Sequence, residues 1–180
     1  MATPTTLPAT FTVGQVLTAA QMNDLRGAFR ILQVVQTFKS DTFTSTSTSY
    51  VDVTGLSVTI TPSSASNKIL VFVVVNGTGN SGVSSAILQL VRDSTAIGNG
   101  SAAGSRRVGF AQIPEISGSI NSAAITFLDS PATTSATTYK IQGALMTGVG
   151  TFAINRSVTD SNNDAYGRVS SQITVMEVSA

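Results

Sequence analysis

The 180-residue chain has no cysteine, no histidine and no tryptophan. Without Cys or His there is no disulfide framework, no Cys-His or Ser-His nucleophile pair and no His-ligated zinc. Charge is scarce as well. Only 11% of residues are Asp, Glu, Lys or Arg, against about 25% in an ordinary soluble domain. Ten basic and nine acidic residues leave a net charge of +1, too little to drive binding to nucleic acid by phosphate neutralisation. The longest apolar run, Ile69 to Val75, is seven residues, far short of the roughly 20 that cross a bilayer as a helix. No membrane insertion is therefore expected. The opening, Met1 to Thr12, has no Lys or Arg and no apolar stretch, so no signal peptide is expected there.

What fills the chain is serine and threonine, 24 and 25 residues respectively, beside a hydrophobic fraction of 42%. That fraction is too high for a disordered polymer. A single domain of this length buries roughly 70% of its unfolded surface and needs no staples. The expected class is all-β: an antiparallel sandwich or jelly roll, preceded by an extended arm and one short helix.

The arm is 1–17, extended, with Pro4 and Pro8 among Thr and Ala. The helix is expected over 18–33. Thr18 and Gln21 form a capping box, and Leu17 and Met22 flank it as a hydrophobic staple. Met22, Leu25, Phe29 and Leu32 follow at spacings of 3, 4 and 3. That spacing suits a coiled-coil seam, and equally an amphipathic helix packed on its own domain. A helix this short is marginal alone, so it needs something to pack against.

The β domain is expected over 34–180. The period changes to 2 after Leu32, and nine or ten β segments follow, separated by Gly, Asn, Ser and Pro clusters. One segment stands apart. A half-buried antiparallel strand alternates apolar and polar residues, yet Ile69 to Val75 is apolar throughout, and 86–91 nearly so. Both faces of such strands need cover. A neighbouring subunit can supply it, as can a loop or the N-terminal helix of the same chain.

Catalytic and ligand-binding signals are thin. The nine carboxylates show no pairing that would mark a glycosidase. Asp160, Asn162 and Asp164 resemble the start of a calcium loop. However, Ala165 stands where that loop needs Gly and Ser171 where it needs Glu. Gly98-Asn-Gly100 and Gly148-Val-Gly150 lead into no Gly-Lys-Ser/Thr sequence and read as turns. No enzyme, no metal and no cofactor is expected. Arg156, Tyr166 and Arg168 lie near a turn and are the candidates for contact with a receptor, since Arg and Tyr are enriched at binding hot spots. Loop tips 76–84, 98–105 and 159–167 are the expected exposed surface.

The stretch 11–25, FTVGQVLTAAQMNDL, resembles the opening of many tailed-bacteriophage fibre and minor structural proteins through Phe11, Gly14, Leu17, Thr18, Ala19, Ala20 and Asn23. The segments SYVDVTGLSVTITP (49–62), SNKILVFVVV (66–75), LQLVRDSTAIG (88–98), LDSPATTSATTYKI (128–141) and SSQITVMEV (170–178) are similar to compact C-terminal domains of phage fibres. Those domains look like trimeric jelly rolls of the complement and tumour-necrosis-factor type. The resemblance implies a virion location, a homotrimer, and an N-terminus docked on other virion proteins through Phe11, Val13, Val16 and Leu17. It also implies a knob that meets a host-surface glycan or protein. No long shaft separates residues 33 and 49, so the implied form is a short tail fibre; the alternatives are a head fibre or capsid decoration protein, or a free carbohydrate-binding module. If Met22, Leu25, Phe29 and Leu32 line a threefold seam, Leu25→Asp or Phe29→Asp will reduce the trimer in light scattering; normal assembly of both variants overturns the seam.

Overall fold

The computed structural model describes residues 13, 14, 16, 31–79, 84–114 and 118–180. They form eleven strands and, among the described residues, no helix. The strands are β1 (Ile31–Lys39), β2 (Phe43–Ser45), β3 (Val51–Ile60), β4 (Lys68–Thr78), β5 (Ala86–Arg92), β6 (Thr95–Ile97), β7 (Ala111–Ile113), β8 (Asn121–Asp129), β9 (Thr137–Leu145), β10 (Phe152–Ile154) and β11 (Ser171–Val178). All pairings are antiparallel. The all-β expectation holds. Strands β2 and β6 are three-residue additions that the hydrophobic pattern does not announce, and of the expected segment 106–113 only 111–113 is strand.

The expected helix is corrected at its C-terminal end. Ile31, Leu32 and Gln33 belong to β1, where Ile31 and Gln33 pair with Val178 and Glu177 of β11. A ladder continuous with Val34 and Val35 wins over the 3-4 spacing, because those β-branched neighbours favour the pleated form. The rest of that segment, 18–30, lies outside the described residues, as do Met22, Leu25 and Phe29.

The first sheet runs β1-β11-β4, with β8 on the far side of β4 and the short β10 and β2 continuing beyond the end of β11. The second runs β3-β9-β5, with β6 and β7 on β5. The chain alternates between them: β3 in the second sheet, β4 in the first, β5 in the second, β8 in the first, β9 in the second and β11 in the first. The inner faces of both sheets share one core. In the first sheet, Val35, Val175, Val71 and Phe127 form one inward row across four strands, and Thr37, Ile173, Val73 and Ile125 the next. Opposite them lie Val53, Leu56, Val58, Leu88, Leu90, Tyr139 and Ile141, all buried. Gly143 is required by packing, since a Cβ there would lie 2.9 Å from the Phe152 ring.

Buried polar groups close the ends of this core. At one end Glu177 is fully buried and, among the described residues, meets no cation. Its Oε2 accepts from Gln33 Nε2 at 2.6 Å. Its Oε1 accepts from the Ser63 amide and hydroxyl, both at 2.7 Å, and from Asn67 Nδ2 at 2.6 Å. The carboxylate thus ties β11 to β1 and to the turn between β3 and β4. At the same end, Asp129 of β8 takes Arg92 Nη1 at 2.8 Å and the hydroxyl of fully buried Tyr139 at 2.7 Å, linking β8 to β5 and β9. Burial, then that hydrogen bond, pushes the Tyr139 pKa well above its ordinary value.

Burial alone would raise the Glu177 pKa. The hydrogen bonds from Asn67, Ser63 and Gln33 outweigh it and hold the carboxyl at about 2, below the ordinary 4.5. A depressed folded pKa means stability that is complete above about 4.5 and is lost as pH falls towards 2. The gap corresponds to about 3 kcal/mol. Urea titrations from pH 7 to pH 2 should therefore show Glu177→Gln less stable than the parent at pH 7, with the difference shrinking below pH 4.5. A difference independent of pH would mean that the ionised carboxylate is not what the donors hold.

Candidate functional site

The two outer faces of the molecule differ sharply. On the second sheet the outer face is polar and knitted together. Gln89 donates to Gln142 Oε1 at 2.6 Å, and Gln142 to Asp52 Oδ1 at 2.6 Å. Lys140 pairs with Asp52 at 2.9 Å. The hydrogen bonds from Gln142 and then Lys140 hold the Asp52 pKa below its ordinary value. Near β5 the chain covers itself. Gly109 lies so close to Ile87 and the Leu88 carbonyl that no side chain fits there, and Phe110 N donates to Leu88 O at 2.9 Å. Segment 86–91 is thus buried by its own chain, and no neighbouring subunit is needed there.

The outer face of the first sheet has no such cover among the described residues. Its register stacks Val34, Met176, Leu70 and Leu128 in one row across β1, β11, β4 and β8. The next row is Gln36, Thr174, Phe72 and Thr126, and the third is Phe38, Gln172, Val74 and Ala124. These twelve positions include no charged residue. Val34 is 54% exposed, Phe38 61% and Leu128 55%. Leu32, ahead of them on β1, is 47% exposed. A trough of about 500 Å³ runs along the face, lined by Val34, Phe72, Val74, Ala124 and Met176 together with amides and hydroxyls. The strand apolar on both faces thus buries Ile69, Val71, Val73 and Val75 and presents Leu70, Phe72 and Val74 outward. Eight of the twelve positions are apolar and four are amides or hydroxyls, an extent of uncharged apolar surface that is uncommon on a monomer.

A second constellation lies in the loop between β10 and β11. Asn155 is fully buried with φ of 63°. Its Nδ2 donates at 2.9 Å to the carbonyls of Lys39 and Asp41, and its Oδ1 accepts from Ser171 at 2.6 Å. Its amide donates to Asn76 O, and its carbonyl accepts from Val169 N. From this anchor the chain leaves at Arg156 and returns at Arg168, which is bridged to it. Asp160 joins both: Oδ2 meets Arg156 at 2.7 Å and Oδ1 meets Arg168 at 2.7 Å. Beside them Asp160, Ser161, Asn162, Asn163, Tyr166 and Arg168 line a shallow polar cavity of about 310 Å³.

The three receptor-contact candidates Arg156, Tyr166 and Arg168 thus come together in one loop. Asp160, expected only as part of a calcium-like turn, joins two of them; the segment 156–160 is not helical, so its four-residue spacing gives no sequence signal of the pair. Each Asp160 oxygen is already paired with a guanidinium, as in a structural turn. Among the described residues no group of three or more acidic side chains could hold a metal. Of the expected anchoring residues, Val13 and Val16 are exposed, while Phe11 and Leu17 lie outside the described residues. Of the expected seam only Leu32 is described, and it lies on a strand. No described helix is long and apolar enough to cross a membrane.

No protein-family model matches the chain, and no curated protein matches it. Among solved structures, that of infectious bursal disease virus, Gt strain, aligns with a TM-score of 0.41 at 15% identity, covering 81% of this chain and 42% of that one. The Gx strain structure aligns with a TM-score of 0.39 at 17% identity, covering 81% and 40%. The chain spans less than half the length of either. Neither likeness assigns it a role.

Adjacent residues on β4 provide a test of the uncovered face. Val73→Asp puts a charge in the core and should cost more than about 4 kcal/mol in urea unfolding. Phe72→Asp, one residue along, should cost about 1 kcal/mol or less in the isolated domain. Equal losses would place Phe72 in the core instead.

Proposed function

We propose that the protein is a non-enzymatic virion structural protein of the tailed-phage fibre kind. It is a homotrimeric short tail fibre, anchored by its N-terminus to other virion proteins and displaying a β-rich knob for host-surface contact. The observation that carries this reading is the charge-free apolar outer face of the β1-β11-β4-β8 sheet, set against a polar, internally hydrogen-bonded face on the other sheet. Such asymmetry suits a subunit of an assembly rather than a free module. Turned toward a threefold axis, such a face packs against uncharged rows of the neighbouring copies without leaving any charge buried and unpaired, so other copies of this chain are the natural cover. The strand order, alternating between sheets, supports the jelly-roll form. The resemblance of residues 11–25 to phage virion proteins supports anchoring at the N-terminus.

A head fibre or capsid decoration protein uses the same face in the same way, and the short span between residues 33 and 49 favours it. A free carbohydrate-binding module does not account for the apolar face.

Immunogold electron microscopy of intact particles, with an antibody against the β domain, separates these readings. Gold at the tail supports the fibre, gold over the capsid supports decoration, and unlabelled particles with free antigen overturn the virion reading. Light scattering tests the assembly: Phe72→Asp together with Leu70→Lys should convert a trimer to monomer, and an unchanged mass would move the contact elsewhere.

A further inference from the structure

We infer that the 156–168 loop is a binding site for a neutral saccharide, with a pyranose ring seated on Tyr166 and its hydroxyls on Ser161, Asn162 and Arg168. This rests on the reading of the β domain as a host-contacting knob and names the chemistry of that contact.

Three features lead there. First, the loop is prepared in advance. Asn155 holds its base through five hydrogen bonds, and the Arg156–Asp160–Arg168 bridge draws its two arms together. Within the loop Asn163 O accepts from the Tyr166 amide at 3.2 Å, and Asn163 Oδ1 from the Ala165 amide at 2.9 Å. A loop already fixed in shape loses little entropy on binding. Tyr166 is braced from the side by the chain at Gly118, where a Cβ would lie 3.7 Å from the ring.

Second, the charges cancel. Arg156 and Arg168 stand against Asp160 and Asp164, and both Asp160 oxygens are occupied by guanidiniums. Little net field remains to select an ion. Third, the side chains left to contact a ligand are amides, hydroxyls, guanidinium N–H groups and one aromatic ring. Amides and hydroxyls donate and accept at once, as sugar hydroxyls do. The tyrosine ring is amphipathic and matches the apolar face of a pyranose. An apolar peptide side chain would need an apolar pocket, and this cavity is lined by polar groups apart from the ring.

The site is shallow, so single-site binding should be weak, and repetition of the loop in an assembly multiplies it. Saturation-transfer NMR on the intact chain tests this directly. The probes are maltotriose, cellotriose, mannotriose and chitotriose, with trigalacturonic acid as the charged control. At least one neutral probe should bind. Tyr166→Ala should weaken it roughly tenfold, while Tyr166→Phe, which keeps the ring, should stay within about threefold. Asn162→Ala should also weaken it. The inference is overturned if no neutral probe binds, if trigalacturonic acid binds more tightly than all of them, or if Tyr166→Ala leaves binding unchanged. Circular dichroism and light scattering on the same samples separate the outcomes. A monomer that binds a probe defeats the assembly reading alone; a trimer that binds none defeats the saccharide site alone.

Discussion

The central constraint is that β4 has two apolar faces and one chain to cover them. It sits in the middle of its sheet, paired to β11 on one side and β8 on the other. Its inward residues, Ile69 to Val75 at every second position, fill the core between the sheets. Its outward residues continue rows that reach from β1 to β8. The first sheet is therefore largely apolar on both sides, with Lys68 at one end of its outer face, and the rest of the sparse charge falls on the second sheet, at the ends of the core and in the loops. A low charge content that would suit a lone soluble domain poorly suits a subunit with one face hidden.

The second theme is how a core of Val, Ile and Leu is closed at its ends without exposing it. Glu177, Asp129 and Asn155 each occupy a buried position and have their polar atoms satisfied by several elements. These clusters specify more than they stabilise, because a buried carboxylate or amide with three or four partners tolerates one arrangement of its neighbours. Asn155 also connects the two candidate surfaces. It secures the turn after β1, an edge of the apolar sheet, and the base of the Tyr166 loop.

The all-β class was legible because period-2 alternation and Gly/Asn/Pro turns are local signals. So was the demand for cover on Ile69 to Val75, since seven consecutive apolar residues cannot alternate. The two strands with that signature nonetheless met different fates. Val91 and Ile87 are buried within their own chain, the latter under the loop at Gly109, whereas Leu70 and Phe72 look outward. Nothing local distinguishes these cases, because the cover comes from residues some twenty positions away. Leu32 shows the reverse difficulty: its spacing fits a helix, and the partner that makes it a strand, β11, lies at the far end of the sequence. The clustering of Arg156 and Arg168 is legible as proximity in a turn, but the sequence marks Asp160 as a possible cation ligand rather than as the carboxylate that joins them.

That first-to-last pairing has a consequence for synthesis. Among the described residues β1 finds its one ladder partner in β11, and β11 in turn supplies one flank of β4. Until β11 leaves the ribosome, the first sheet lacks an interior strand, and β1 and β4 present unpaired edges beside apolar rows. Folding of this sheet thus waits for β11, and chains emerging nearby meet one another with these edges open. The order in which the strands are wired sets a time limit: closure of each chain on itself must outrun its capture by a neighbour.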